Sequence, residues 1–320
     1  DHISGIIKLL EEEALPISIG EIWYNGYRHI QSVVKVSANG EHFVHDNICK
    51  EVQLVESKKI SARQGCTLST LIARKGIPWN VPLSGATIKG LYSFSFGKAT
   101  IHILSPNSDD ISNVESFWKK KLIIDGLLSK AHSEEFWDDA FEYSLSKDKP
   151  GFHYHERNVS KSYDLIKMME EIYEPDDSAT NGSSIAFVLE VDEKRVLFLG
   201  DAHAETIVDS LMELYGKGNA PFWFDAVKLS HHGSYNNNSP ELLKLIRCNN
   251  WLISTNGDKY NHPDLPTLAH IIANGNNHEP RLYFNYNIEL SRELTAQSYH
   301  DDFEFEIITP VGEQGITITI

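Results

Sequence analysis

Three short clusters of polar residues in the second half of the chain carry the side chains best suited to chemistry. They are Gly200-Asp201-Ala202-His203, then Ser230-His231-His232-Gly233-Ser234, and then Ser254-Thr255-Asn256-Gly257 followed by Asn261-His262-Pro263. The clusters combine a carboxylate with imidazoles and contain no thiol, a set of ligands that suits a divalent ion such as Zn²⁺ or Mn²⁺. Since a carboxylate can bridge two ions through its two oxygens, the clusters favour a two-metal site.

The chemistry of such a site is metal-assisted hydrolysis. A pair of ions lowers the pKa of a shared water toward about 7, so that hydroxide can attack an electrophile that a metal also polarises. We take Asp201, His232 and His262 as the candidate catalytic residues, with His232 or His262 protonating the leaving group. Ser234 and Asn261, which stand close to these residues in the sequence, are candidate substrate contacts.

The start of the chain offers two further ligands. Asp1 and His2 precede an apolar segment that is predicted to be helical. An Asp-His pair at that position could give a carboxylate and an imidazole to the same metal. The predicted metal ligands are therefore Asp1, His2, Asp201, His231 and His262.

The elements predicted around the three clusters explain how they could meet. Each cluster follows a short apolar segment with the pattern of a buried strand, at residues 195–199, 226–229 and 251–254. Open α/β folds bind ligands in crevices at the ends of their strands, so side chains from three strand ends can converge. Ser239 is the expected N-cap of a helix that starts with Pro240. The helices predicted between and after these strands span residues 204–215, 240–247 and 267–273.

The periodicity of the remaining chain predicts a mixture of helices and strands. Thr67 or Ser69 is the expected cap of a helical stretch within residues 57–77. Residues 99–106 alternate as a strand that a proline ends. The other predicted elements are a helix at residues 3–13, a hairpin at 185–199 with its turn at 192–194, and strands at 19–24, 282–285, 303–308 and 316–320.

Residues 112–180 differ from the rest of the chain. They are rich in charged and aromatic side chains, have a helical pattern, and close with a polar run. We interpret them as an insertion of helices and loop and not as a separate domain. Helical insertions of this kind often form partner surfaces, so we expect a protein partner there.

Composition sets limits on the function. The chain has 45 Asp and Glu against 29 Lys and Arg, a formal net charge of −16, which argues against a basic surface that coats nucleic acid. It does not argue against nucleic-acid chemistry, because metal ions bring positive charge into a carboxylate-rich site. The three cysteines form no CxxC pair, and no apolar run reaches the roughly 18 residues of a membrane span. We therefore expect a cytoplasmic protein without membrane association.

In their order along the chain, the motifs resemble the metallo-β-lactamase superfamily, and within it the hydrolase domain of ComEC-type DNA-uptake proteins. Asp1-His2-Ile3-Ser4-Gly5 is similar to the tail of the first motif of that family, His-x-His-x-Asp-His followed by a small residue and Gly. The later motifs are matched, in the family's order, by Ile103-Leu104-Ser105-Pro106, Asn181-Gly182-Ser183-Ser184, Phe198-Leu199-Gly200-Asp201, His231-His232-Gly233-Ser234, and Ser254, Gly257, Asn261, His262 and Pro263. The His-x-His ahead of Asp1 and the family's first strands are missing, and the chain has no initiator Met, so we expect it to begin within a longer protein.

The resemblance implies an α/β protein with the αββα sandwich of the metallo-β-lactamase-like fold, formed by residues 1–320 as a single domain with an insertion at about 112–180. It also implies a two-metal nuclease or phosphodiesterase that acts on DNA or RNA, in DNA uptake or in bacterial defence against foreign DNA. Through it, Asn181 and Ser184 become candidate substrate contacts. Two alternatives stay open: a hydrolase of the same fold that acts on a small ester, lactone or amide, and a non-catalytic subunit of a larger assembly.

Overall fold

The structure, a computed structural model, is mixed α/β. It describes residues 2–34, 67–124, 164–257, 261–274, 279–296, 303–312 and 315–320 of the 320-residue chain. The chain divides into two compact units, the first made of residues 1–88 and 109–149 and the second of residues 89–108 and 150–320. The single domain with an insertion at 112–180 stays a prediction, because residues 125–163 lie outside the described part of the chain.

Helices dominate the described part of the first unit. They are α1 (His2–Glu11), α2 (Tyr27–Val34), α3 (Leu68–Lys75) and, from its second residue onward, α4 (Ser108–Ile124). The hydroxyl of Thr67 accepts a hydrogen bond from Thr70 N at 3.4 Å, which makes Thr67, and not the buried Ser69, the N-cap of α3. Leu10 of α1 packs against Leu71 of α3 in a small buried core.

The strand predicted at residues 19–24 is wrong. Among the described residues, this segment forms only an isolated parallel bridge between Ile22 and Trp79, with Asn80 N donating to Ile22 O at 3.0 Å. The N–H of Tyr24 donates to the side-chain oxygen of Asn80 at 2.9 Å. The Asn80 side chain thus accepts the hydrogen bond that a neighbouring strand would otherwise accept from Tyr24 N–H. The strand pairing therefore does not continue beyond the single bridge.

An eight-stranded sheet is the centre of the second unit. Its strands are β1 (Ser93–Phe96), β2 (Ala99–Ser105), β3 (Ala186–Val191), β4 (Lys194–Phe198), β6 (Ala226–Lys228), β8 (Asn250–Ile253), β9 (Arg281–Phe284) and β10 (Glu306–Ile308), while β5 (Phe222–Phe224) and β7 (Ile246–Cys248) form a separate parallel pair. The order across the sheet is β1-β2-β3-β4-β6-β8-β9-β10. Strands β1 to β4 pair antiparallel, and β4, β6, β8, β9 and β10 pair parallel.

The predicted hairpin is confirmed as β3 and β4. Val191 pairs with Lys194, and the two residues between them, Asp192 and Glu193, have φ values of 46° and 69°. Two successive left-handed residues are typical of a type I′ turn, whose twist matches that of the flanking strands. The strand predicted at residues 99–106 is confirmed as β2.

Helices of the second unit contribute to one large apolar core with the sheet. They are α5 (Leu165–Met168), α6 (Ala179–Gly182), α7 (Ala204–Tyr215), α8 (Pro240–Leu245), α9 (Leu265–Asn274) and α10 (Glu289–Ala296). Val188 and Leu197 of the sheet are fully buried in this core, together with Ile207 and Leu211 of α7. Leu165 belongs to the same core, so the last part of the predicted insertion packs within the second unit.

Two predicted boundaries in the second unit need correction. Helix α8 ends at Leu245 and not near residue 247, because Ile246 and Cys248 turn inward as strand β7 with an exposed Arg247 between them. The alternation of buried and exposed residues over three positions is too short to be told apart from the helical pattern that precedes it. The closing strand predicted at residues 316–320 is also wrong, since no strand in the described residues pairs with it.

Cys248 behaves as a small buried apolar residue, as expected. Burial raises the pKa of its thiol to about 12. Cys49 and Cys66 lie outside the described residues. In the part of the chain that the structure describes, no helix has the length and apolar composition that crossing a membrane requires.

Replacing Ser239 with alanine should destabilise the protein by about 1 kcal/mol. The Ser239 hydroxyl accepts from Leu242 N at 3.1 Å at the start of α8, and alanine leaves this buried N–H without its acceptor. Urea unfolding measures the change, and Ser239→Thr, which keeps the hydroxyl, is the control. An unfolding free energy for Ser239→Ala equal to that of the wild type would show that the cap contributes nothing.

Candidate functional site

The three polar clusters lie at the carboxyl ends of β4, β6 and β8, which are adjacent parallel strands. The backbone joins the first two clusters, since His231 N donates to Gly200 O at 2.9 Å. Asp264 N donates to Gly233 O at 3.1 Å and joins the third cluster to the second. The structure therefore brings the three clusters together at one edge of the sheet.

Asn237 fixes the protonation pattern of His231, that is, the tautomer in which a particular ring nitrogen carries the proton. The amide nitrogen of Asn237 donates to Asp176 Oδ2 at 2.7 Å, so its amide oxygen is the atom that faces His231 Nδ1 at 2.8 Å. An amide oxygen can only accept a hydrogen bond, so Nδ1 of neutral His231 carries the proton. Its Nε2 therefore carries the lone pair. Asn181 Nδ2 lies 3.4 Å from the same Nδ1 but donates at 2.7 Å to Asp176 instead.

His232 and His262 have the same pattern, set by different acceptors. Nδ1 of His232 bonds to the backbone carbonyl of Ser254, which can only accept. Nδ1 of His262 lies 3.2 Å from Asp264 Oδ1, and the other oxygen of this carboxylate accepts from Tyr235 N at 2.7 Å. In their neutral forms both imidazoles therefore carry the lone pair on Nε2.

The three imidazoles are also close to one another. The ring centroids of His231 and His262 are 5.3 Å apart, and those of His231 and His232 are 5.9 Å apart. Metal-binding histidines usually donate one ring N–H to a carbonyl or carboxylate and bind the metal through the other nitrogen. A histidine with the same bonds can also take up and release a proton.

The donor chemistry of these residues fits a divalent cation, although only part of the predicted ligand set can be placed. Asp1 lies outside the described residues, and so does the side chain of His2. Among the described side chains, no three of His, Cys, Asp and Glu are arranged so that they could hold a metal ion. The two-metal site with Asp1, His2, Asp201, His231 and His262 stays a prediction.

Asp201 lies just after β4, and its charge acts on the half-buried Lys228. Burial lowers the pKa of Lys228, the last residue of β6, and the negative charge of Asp201 opposes this shift. Lys228 Nζ donates to Leu229 O at 2.8 Å. A lysine inside the apolar run before His231 was a signal in the sequence that our prediction did not use.

The predicted substrate contacts are in different environments. Asn181 is buried, and its amide belongs to the hydrogen-bond network around His231. Ser184 is half-buried next to Gly200, while Ser234 is buried. Asn261 is exposed and left-handed, with a φ of 55°. Of the four, Asn261 and Ser184 are therefore the more accessible to a ligand.

The backbone of the second cluster is left-handed at three successive residues. The φ values are 41° at His231, 59° at His232 and 90° at Gly233. A left-handed residue other than glycine costs about 1–2 kcal/mol, and such strain tends to occur at functional sites. A Cβ atom built on Gly233 would lie 2.5 Å from Cβ of Pro263, so only glycine fits here.

Three residues that support the site were missing from the predicted set. Asp264 follows His262 by two positions, and a carboxylate so near a candidate histidine was a signal that could have identified it. Asn237 is the middle of the run Asn236-Asn237-Asn238, which does not show which amide faces the site. Asp176 lies 55 residues before His231 and carries no such signal.

No protein-family model matches this chain, and no curated protein is significantly similar to it.

Proposed function

We propose that the protein is a metal-dependent hydrolase of the metallo-β-lactamase-like class that cleaves phosphodiester bonds in DNA or RNA. The observation that carries this proposal is the shared pattern of His231, His232 and His262, whose Nδ1 atoms donate to fixed acceptors. In the neutral ring the lone pair is then on Nε2, the atom through which an imidazole of this kind binds a metal or accepts a proton. The ordered motifs of the ComEC-type branch support the phosphodiester substrate.

The mixed sheet supports the α/β class of the protein, and the αββα sandwich is the finer fold that we propose. The parallel strands β4, β6 and β8 place the three clusters at one edge, where α/β proteins bind their ligands. The antiparallel strands β1 to β4 form the other part of the same sheet.

We assign the metal to His231 and His262 and the proton transfer to His232. A nitrogen bound to a metal cannot also carry a proton, so the roles must be divided. His231 and His262 are the closer pair of rings, at 5.3 Å. Asp201 would supply the carboxylate, and Asp1 and His2 are the proposed remaining ligands. When bound, the ions lower the pKa of a water molecule and polarise the phosphoryl group.

His232 would act first as a base and then as an acid. Its Nε2 accepts a proton as the water attacks, and the same nitrogen returns the proton to the leaving oxygen. The bond from Nδ1 to the carbonyl of Ser254 persists when the ring is charged, since that nitrogen is a donor in both forms. The ring is therefore held in place throughout the transfer.

A nucleic acid would be attracted at the site and not by the protein surface as a whole. The net charge of −16 repels a phosphate backbone at long range. Cations held by the proposed ligands would supply local positive charge. We also propose a protein partner at residues 112–180, of which residues 125–163 lie outside the described part of the chain.

Metal analysis combined with a cleavage assay tests the proposal. We expect the purified protein to bind two Zn²⁺ or Mn²⁺ ions and to cleave plasmid or single-stranded DNA, or RNA, only when they are present. Removal of the ions with a chelator should stop cleavage, and adding them back should restore it. A fully metallated protein that cleaves no nucleic acid but hydrolyses esters or lactones would contradict the proposed substrate. A protein that binds no metal would contradict the hydrolase assignment and favour a non-catalytic subunit.

A further inference from the structure

We propose that Asp176 is a positioning residue that fixes the protonation pattern of His231 by acting through Asn237. This inference rests on the proposed function, since the pattern matters only if Nε2 of His231 binds a metal. Asp176 lies in the segment between α5 and α6, outside all the motifs that suggested the site.

Asp176 takes part in four hydrogen bonds, three accepted by its carboxylate and one donated by its backbone N–H. Its Oδ2 accepts from Asn181 Nδ2 and from Asn237 Nδ2, both at 2.7 Å. Its Oδ1 accepts from Ser178 N at 2.9 Å, and its own N–H donates to Asn236 O at 3.1 Å. The carboxylate therefore holds the loop before α6 against the loop that follows the two histidines.

The direction of the Asn237 amide decides which nitrogen of His231 is protonated. An ionised carboxylate has only acceptors, so it requires the NH₂ group of Asn237 on its side. The amide oxygen must then face His231 Nδ1, at 2.8 Å, and Nδ1 must donate. The carbonyl of Asp201 lies 3.2 Å from the same NH₂ group and favours the same orientation. The bond to the carboxylate is shorter and charged, so it is the stronger of the two.

The orientation of the Asn237 amide decides whether Nε2 of His231 can bind a metal. If the Asn237 amide turned over, its NH₂ group would face His231, and Nδ1 would have to accept. The proton would then be on Nε2, the nitrogen that we assign to the metal. Outer partners of this kind typically change metal affinity about 10–100-fold when they are removed.

The test is the protonation pattern of His231 in the metal-free protein, read from ¹⁵N NMR of labelled histidines above the ordinary imidazole pKa of about 6.5. In the wild type we expect a single form with the proton on Nδ1. Asp176→Ala should give a mixture that includes the Nε2–H form, and its affinity for Zn²⁺ should fall about 10–100-fold. The matched control is Asp177→Ala, which removes the same group from an exposed neighbour and should change neither.

A double substitution separates positioning from a general effect on the fold. Asn237→Ala should change the His231 pattern by itself, and Asp176→Ala should add little to it, because both act on one chain of bonds. If Asp176→Ala does not fold, Asp176→Leu keeps a side chain of similar shape but has no acceptor oxygen, so it tests the same step. Additive effects of the two substitutions would overturn the proposal, and so would an unchanged pattern in either Asp176 variant.

The measurement distinguishes this inference from the function on which it rests. The NMR pattern needs neither metal nor substrate. A wild type that binds metal and cleaves DNA, with an unchanged His231 pattern in Asp176→Ala, overturns the positioning role alone. A wild type that binds no Zn²⁺ overturns the proposed function, while a shift of the pattern in Asp176→Ala would still support the positioning role.

Discussion

His231→Ala should abolish metal-dependent cleavage and weaken Zn²⁺ or Mn²⁺ binding by more than about 100-fold. The effect should exceed the roughly 10–100-fold that loss of an outer partner causes, because the variant loses a proposed ligand itself. The ring centroid of His231 is also 5.3 Å from that of His262 and 5.9 Å from that of His232. Isothermal titration with each ion and a plasmid-cleavage assay measure the two effects.

The control for this prediction is His102→Ala. It also deletes an imidazole, but His102 lies on β2, where it bonds to Ser93 at 2.7 Å and pairs with Glu190 at 3.3 Å. We expect it to bind metal and to cleave like the wild type. If His231→Ala bound the ions with wild-type affinity, His231 would not be a ligand, and the proposed division of roles among the three histidines would be wrong.

Gly233→Ala should destabilise the protein by roughly 2–5 kcal/mol, a large share of the stability of a typical domain. The residue has a φ of 90°, and the added methyl group would lie 2.5 Å from Cβ of Pro263. The backbone strain and the overpacking act together. Because the methyl group pushes apart the segments that hold His231 and His262, metal affinity should fall as well. Urea unfolding and metal titration measure both changes.

Gly218→Ala is the matched control for the glycine variant. Gly218 lies in the short 3₁₀ turn Lys217–Asn219, and a Cβ built there meets nothing within 4 Å. We expect its stability to stay within about 0.5 kcal/mol of the wild type. Gly233→Ala with the stability of Gly218→Ala would mean that the two segments can separate without loss, and that their close approach does not hold the site together.

Strong periodicity and turn chemistry made much of the second unit predictable. The helix at residues 204–215 and the hairpin of β3 and β4 follow from repeats of apolar residues and from a polar turn. What failed were elements defined by distant partners. The isolated bridge of Ile22 depends on Asn80, and β7 exists because a parallel strand, β5, lies beside it. Local sequence does not contain the position of such partners.

The candidate site divides in the same way. That the three clusters around Asp201, His231 and His262 would meet followed from their places after consecutive parallel strands. The hydrogen bonds that orient the imidazoles could not be predicted from the sequence. Their partners Asp176, Asn237 and the carbonyl of Ser254 are brought to the histidines by loops. The direction of a hydrogen bond depends on which donor atom faces which acceptor atom. The folded conformation of the loops sets this arrangement. The predicted ligands at the chain start stay a prediction.

Under the proposed function, the left-handed backbone at His231 and His232 implies a trade-off between folding stability and activity. Glycine at these two positions would relax about 1–2 kcal/mol of strain at each. A stabilisation programme guided by folding free energy alone would therefore choose to replace these two histidines, and in doing so would remove two of the three imidazoles. Under the proposed function, the strain at these two residues is the cost of carrying two imidazoles on this turn.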